Sequence, residues 1–98
     1  MDYSRSASNW WANRLEHVDR NEKRRFAKKL KEEVELLIIQ YGHCKLSTEF
    51  GASGIFQNVL KECEIPVDRA PFGVRMDIYP KKIQVCYNGG RKETVFEI

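Results

Sequence analysis

Apolar residues recur at helical spacing through the first 41 positions and alternate with polar ones from Cys44 onward, so the chain reads as helices followed by a mostly β half. Trp11, Leu15 and Val18 lie four and three apart, which predicts a helix from Asn9 to Val18 capped by Ser8. Residues 1–7 carry no such stripe and are expected to be flexible. Asp19-Arg20-Asn21-Glu22 has the form of a capping box, with an acid three residues after the cap. A long helix follows to about Tyr41, with Phe26, Leu30, Val34, Leu37, Ile38 and Tyr41 as its apolar stripe and Gly42 as its stop. Leu36 and Ile39 fall outside that stripe. The last two turns are therefore apolar nearly all round and call for cover on a second side.

The segment CKLSTEF, residues 44–50, alternates and predicts a strand. Ile55 to Glu64 has helical spacing, with Ile55, Val59 and Cys63 inward and Phe56 and Leu60 as further inward candidates, and the two prolines of IPVDRAP end it. FGVRMDIY, KIQVCYN and RKETVFEI then form a meander. Its turns are Tyr79-Pro80-Lys81-Lys82 and Asn88-Gly89-Gly90, the second a hairpin signal because glycine accepts positive φ. The order α-α-β-α-β-β-β predicts an α+β fold, a four-stranded antiparallel sheet with helices on one face. All 98 residues form one domain: a flexible 1–7, a helical 8–41 and a βαβββ part, 44–98.

Composition narrows the chemistry. No apolar run approaches the roughly 18 residues of a membrane span, and MDYSRSASNWW has no apolar leader core, so an intracellular protein with no membrane partner is expected. Cys44, Cys63 and Cys86 are odd in number and far apart, which suits a reducing compartment and buried thiols. A zinc site would have to gather His43, Cys44, Cys63 and Cys86, whose spacing is not that of zinc ligands, so neither metal nor cofactor is expected. A Cys–His nucleophile has no support in the spacing, and no catalytic residues are assigned.

Charge supplies the candidate sites. The net charge is +3, and seven Lys or Arg fall between Arg20 and Lys31 against one acid, Glu22. Glu32, Glu33 and Glu35 follow, an order that the helix dipole disfavours, with Lys28–Glu32 and Lys31–Glu35 pairs offsetting part of it. That reversal points to a partner surface on Arg24, Arg25, Lys28, Lys29 and Lys31. Trp10 joins them, because adjacent Trp10 and Trp11 cannot both face one side of a helix. A second candidate is an anion or nucleotide site at Gly51-Ala52-Ser53-Gly54, with Ser53 and Gly54 at a helix start and Arg75, Tyr79 and Arg91 from the sheet. The alternative for that turn is plain structure: Gly51 leaves the strand, Ser53 caps the helix and Gly54 allows close packing.

From Leu46 to Ile98, LSTEFGASGIFQNVLKECEI and PFGVRMDIYPKKIQVCYNGGRKETVFEI resemble small proteins carried by phages and mobile elements of Gram-positive bacteria. The shared features are a Ser-Thr-x-Phe-Gly strand and turn, a short helix, a Pro-Phe strand start and a closing glycine-rich hairpin. The resemblance makes the N-terminal helices an addition of this chain. It implies a non-enzymatic phage-type counter-defence protein in the cytoplasm of the bacterial host, an anti-CRISPR-like inhibitor that binds a host defence protein or ribonucleoprotein complex stoichiometrically. The alternatives are a sponge for a defence signalling nucleotide and a nucleic-acid-binding accessory protein. A homo-oligomer is compatible with each.

Overall fold

The computed structural model describes residues 2–49 and 54–98. Its elements are α1 (Asp2–Asn13), α2 (Arg20–Tyr41), β1 (Cys44–Ser47), α3 (Gly54–Glu62), a 3-10 turn at Val67–Arg69, β2 (Val74–Tyr79), β3 (Lys82–Tyr87) and β4 (Lys92–Glu97). The strands form one antiparallel sheet in the order β1-β2-β3-β4. The fold is α+β, in the expected element order, with the helices gathered on one face.

Strand alternation divides the sheet. Cys44, Leu46, Val74, Met76, Ile78, Ile83 and Val85 are buried on the inner side, while Lys45, Arg75, Asp77, Gln84 and Cys86 face outward. Thr48 extends β1 through its side chain. Its hydroxyl accepts from the Val74 amide at 3.2 Å, and its own amide donates to the Val74 carbonyl at 2.7 Å. A two-residue turn at Pro80-Lys81 joins β2 to β3, since Tyr79 pairs with Lys82. Asn88-Gly89-Gly90 turns β3 into β4, with φ of 97° and 90° at the two glycines. The β3–β4 register slips between Ile83 and Gln84, leaving Val95 as the extra residue of a bulge.

The N-terminal helix departs most from expectation. It starts at Asp2 and ends at Asn13, where the spacing predicted Asn9 to Val18 and a flexible lead of seven residues. Ser8 is a buried mid-helix residue whose hydroxyl donates back to the Arg5 carbonyl at 3.2 Å. Leu15 and Val18 still reach the core, from the irregular link that follows α1. Small residues explain the shift. Ser4, Ala7 and Ser8 are fully buried and line α1 where it meets α2, and the Ser4 hydroxyl donates to Glu35 at 2.6 Å. α1 touches α2 together with β2, β3 and β4, whereas α2 and α3 meet the sheet mainly at β1.

α2 begins and ends as its sequence predicts. The Asp19 carboxylate accepts from the Glu22 amide at 2.8 Å, which holds Asp19 below the ordinary carboxylate range, and Gly42 closes the helix with φ 81°. Phe26, Leu30, Val34 and Ile38 are buried and Leu37 half-buried, but Tyr41 is exposed. The cover expected over Leu36 and Ile39 is absent among the described residues: they are 60% and 73% exposed. Gly54 opens α3 with φ 60°. A Cβ there would meet nothing within 4 Å among the described residues, so the backbone angle and not close packing is what favours glycine. Gly51 and Ser53 lie outside the described residues.

Candidate binding surfaces on the helical layer

Trp10 and Trp11 are both core. Trp10 is 6% exposed, and its indole N–H donates to Glu93 at 3.1 Å. Trp11 is fully buried against Phe56, with ring centroids 4.5 Å apart, and meets Trp10 edge-on at 4.9 Å. Both are accommodated because α1 has neighbours on several sides: Trp11 turns to α3 and Trp10 to β3 and β4. Trp10 is thus no exposed platform for a partner. Its ring lies under the Arg14 guanidinium at 3.9 Å, and Arg14 also donates to the Trp10 carbonyl at 3.1 Å.

The basic run divides by partner. Arg25 donates to the Cys63 carbonyl at 2.9 Å, which ties α2 to the end of α3. Lys29 stands 3.2 Å from Glu62 and 3.7 Å from Glu33, and the hydrogen bond to Glu62 raises its pKa above the ordinary lysine value. Arg25 and Lys29 therefore join α2 to α3, which accounts for part of the reversed charge order. Lys31 pairs with Glu35 at 3.8 Å, whereas no Lys28–Glu32 pair forms among the described residues. Arg20, Lys23, Arg24 and Lys28 have neither ion pair nor side-chain hydrogen bond among the described residues. Three of these four cations meet at an open cleft of about 430 Å³ between the end of α1 and the start of α2. Asn9, Ala12, Asn13, Arg20, Lys23, Arg24 and Ala27 line it. Asn9 and Asn13 were not singled out in the sequence. Their spacing of four is the signal, but it becomes readable only once α1 is known to begin at Asp2.

The residues proposed for an anion site do not converge. Ser53 is outside the described residues. Arg75 lies on the outer side of the sheet, 3.4 Å from Asp77 and donating to the Cys86 sulfur at 3.3 Å. Tyr79 is four residues along the same strand, roughly 13 Å away, where its ring stacks on His43 at 6.0 Å. Arg91 lies 4.3 Å over the ring of Tyr87, which pairs across from buried Val74 on the inner side. Alternation therefore separates Arg75 from Arg91. Among the described residues no three His, Cys, Asp or Glu side chains gather as a metal site, and no helix is long and apolar enough to cross a membrane.

No protein-family model and no curated protein matches the chain. Among solved structures, the FOG-3 BTG/Tob domain of C. elegans superposes with a TM-score of 0.84 at 14% identity, over 99% of this chain and 90% of that one. The match takes in α1 and α2, so the N-terminal helices belong to the shared fold and are no addition to it. It also overturns the functional reading as a phage-type, anti-CRISPR-like inhibitor, and leaves the nucleotide-sponge and nucleic-acid-accessory alternatives without support. That reading drew on strand-and-turn motifs in 46–98, and motifs that specify a fold do not by themselves specify an activity. At this identity the likeness is one of fold: the chain is similar in architecture to a BTG/Tob domain.

Proposed function

We propose that the chain is a non-catalytic binding domain that docks a partner protein on the outward side of α2, centred on Leu36 and Ile39. The observation that carries this reading is their exposure, 60% and 73%, at positions three apart and so adjacent on the helix surface. They contribute little to the core, which takes Val34 and Ile38 from the same turns. A lone exposed leucine needs no explanation, but two adjacent large aliphatic side chains on a long helix present a contact for an apolar partner surface. Lys28 and Glu32 continue the Leu36 row at spacings of four, so both signs of charge lie beside the apolar pair.

Affinity capture from the native cell with the whole chain and with a Leu36→Ser/Ile39→Ser variant tests it, followed by calorimetry on the purified partner. The reading expects a partner bound by the parent chain and at least about tenfold more weakly by the variant, as for the loss of a small apolar hot spot. Equal affinity for both chains would overturn it.

A further inference from the structure

The cleft between α1 and α2 shares no residue with the apolar pair and carries its own chemistry. We infer that it is a binding site for a carboxylate-rich peptide segment, held by Arg20, Lys23 and Arg24 with Asn9 and Asn13. Its walls are fixed. The Asp19 cap holds the start of α2, buried Leu15 anchors the link, and the Glu16 amide donates to the Arg69 carbonyl at 2.8 Å. Ala12 and Ala27 belong to its lining as small residues, which leaves room for a bound chain. The three cations have no internal acid to neutralise them among the described residues, and the lining contains no carboxylate. A cleft of one sign raises the local concentration of the opposite charge.

The type of anion follows from what accompanies the cations. Asn9 and Asn13 lie four apart on α1, and neither side chain is hydrogen-bonded among the described residues. Each amide offers donors and an acceptor, a match for the peptide groups of an extended segment. No aromatic residue lines the cleft, because Trp10 and Trp11 are spent in the core, so a nucleobase has no stacking surface there. The track of unpaired cations on α2 also ends at Lys28, since Arg25, Lys29 and Lys31 are engaged within the fold. Glu32, Glu33 and Glu35 follow on α2 and would repel the continuation of a nucleic-acid backbone. Carboxylates on a peptide satisfy both limits.

Fluorescence anisotropy with labelled octaglutamate, on the whole chain at low salt, tests the site. Saturable one-to-one binding that weakens with added salt is expected. Lys23→Glu with Arg24→Glu should weaken it by about tenfold or more. That variant keeps its fold because acids suit the first turns of a helix, and a thermal melt checks this. Asn9→Ala with Asn13→Ala should weaken binding by roughly threefold with an unchanged salt slope, since hydrogen bonds and not charge are lost. Lys45→Glu on the outer side of the sheet should leave binding unaltered, as should Leu36→Ser/Ile39→Ser, so this site and the apolar one fail or stand separately. No saturable binding would overturn the inference. So would equal loss in the Lys45 variant, competition by inorganic phosphate at equal concentration, or tighter binding of a single-stranded oligonucleotide than of the peptide.

Discussion

α1 and α2 lie side by side and are used in opposite ways. α1 is 12 residues long and its sequence, DYSRSASNWWAN, looks polar, yet 7 of those residues are buried. α2 is 22 residues long and looks like the main amphipathic element, yet only 4 are buried. Burial therefore follows place in the fold more closely than apolar content. α1 has the sheet on one side and α2 on another, so small and hydroxyl-bearing residues go inside with their polar atoms bonded. α2 is the outer helix: one narrow stripe holds it, and the rest of its circumference is open to cations, acids and two large aliphatic side chains.

The comparison breaks first at Trp11, where the largest effect is expected. Trp11→Ala removes a ring that packs on Phe56 and Trp10 and should destabilise the fold by about 3–5 kcal/mol, much of the roughly 5–15 kcal/mol typical of a whole domain. Urea unfolding measures it. The indole N–H has no partner among the described residues, so the loss is one of packing, and Trp11→Phe should cost far less. A loss for Trp11→Ala below about 1 kcal/mol, the size of an ordinary substitution, would mean that α1 is not a central element.

A similar contrast divides the cysteines. Cys44 is buried on the inner side of β1, which pushes its thiol up to about 11, whereas Cys86 is half-exposed on the outer side. A raised value means that the folded chain holds the neutral thiol while the unfolded chain ionises first. The corresponding stability is complete below about pH 9, the ordinary thiol value, and is lost as the pH climbs toward 11, by about 3 kcal/mol at most. Cys44→Val should flatten that part of the profile. An unchanged alkaline slope in the variant would assign it to other groups.

Ser4 sharpens the contact between the two helices. Its buried hydroxyl is the main cause that holds Glu35 below the ordinary carboxylate range, ahead of the nearby Lys31 charge. Ser4→Ala should cost about 1 kcal/mol, the size of one side-chain hydrogen bond, and let the Glu35 pKa rise. Since the lowered value stabilises the folded chain above the ordinary glutamate range and fades as the pH falls through it, the difference between parent and variant should shrink in acid. Carboxylate titration by NMR reads the shift directly, and an unmoved Glu35 would assign its low value to Lys31 and its other neighbours.

How much of this was legible in the sequence depends on whether a signal is local. Asp19, Gly42, Asn88-Gly89-Gly90 and the alternation in β2 and β3 act on their own backbone neighbourhood, and each stands where the pattern predicted. α1 was misread because Ser4, Ala7 and Ser8 give no apolar period. Their meaning comes from α2 lying against them, a fact of tertiary packing. Trp10 was misread for the same reason. The site residues split likewise. The cation run was visible as a charge pattern, but only the fold shows that Arg25 and Lys29 serve α3 while Arg20, Lys23 and Arg24 are left to the cleft. Arg75, Tyr79 and Arg91 carry no local sign of their separation: alternation divides Arg75 from Arg91, and four residues of β2 divide Arg75 from Tyr79.

The smallest effect on stability is expected where the proposed function is most exposed. Leu36→Ser with Ile39→Ser changes two side chains that the fold leaves largely in solvent, so each should alter stability by no more than about 0.5 kcal/mol in either direction. Serine lowers helix propensity by up to roughly half a kcal/mol per site, while removing exposed apolar surface favours the free chain in water, so the two terms partly cancel. Leu30→Ser on the buried side of the same helix supplies the contrast: it leaves a cavity and an unpaired hydroxyl and should cost several kcal/mol, about as much as a leucine-to-alanine core change or more. A thermal melt of the three chains under one buffer decides the matter. If the outer pair costs nearly as much as Leu30→Ser, Leu36 and Ile39 are covered in the free protein, and a surface already covered cannot be the one that waits for a partner.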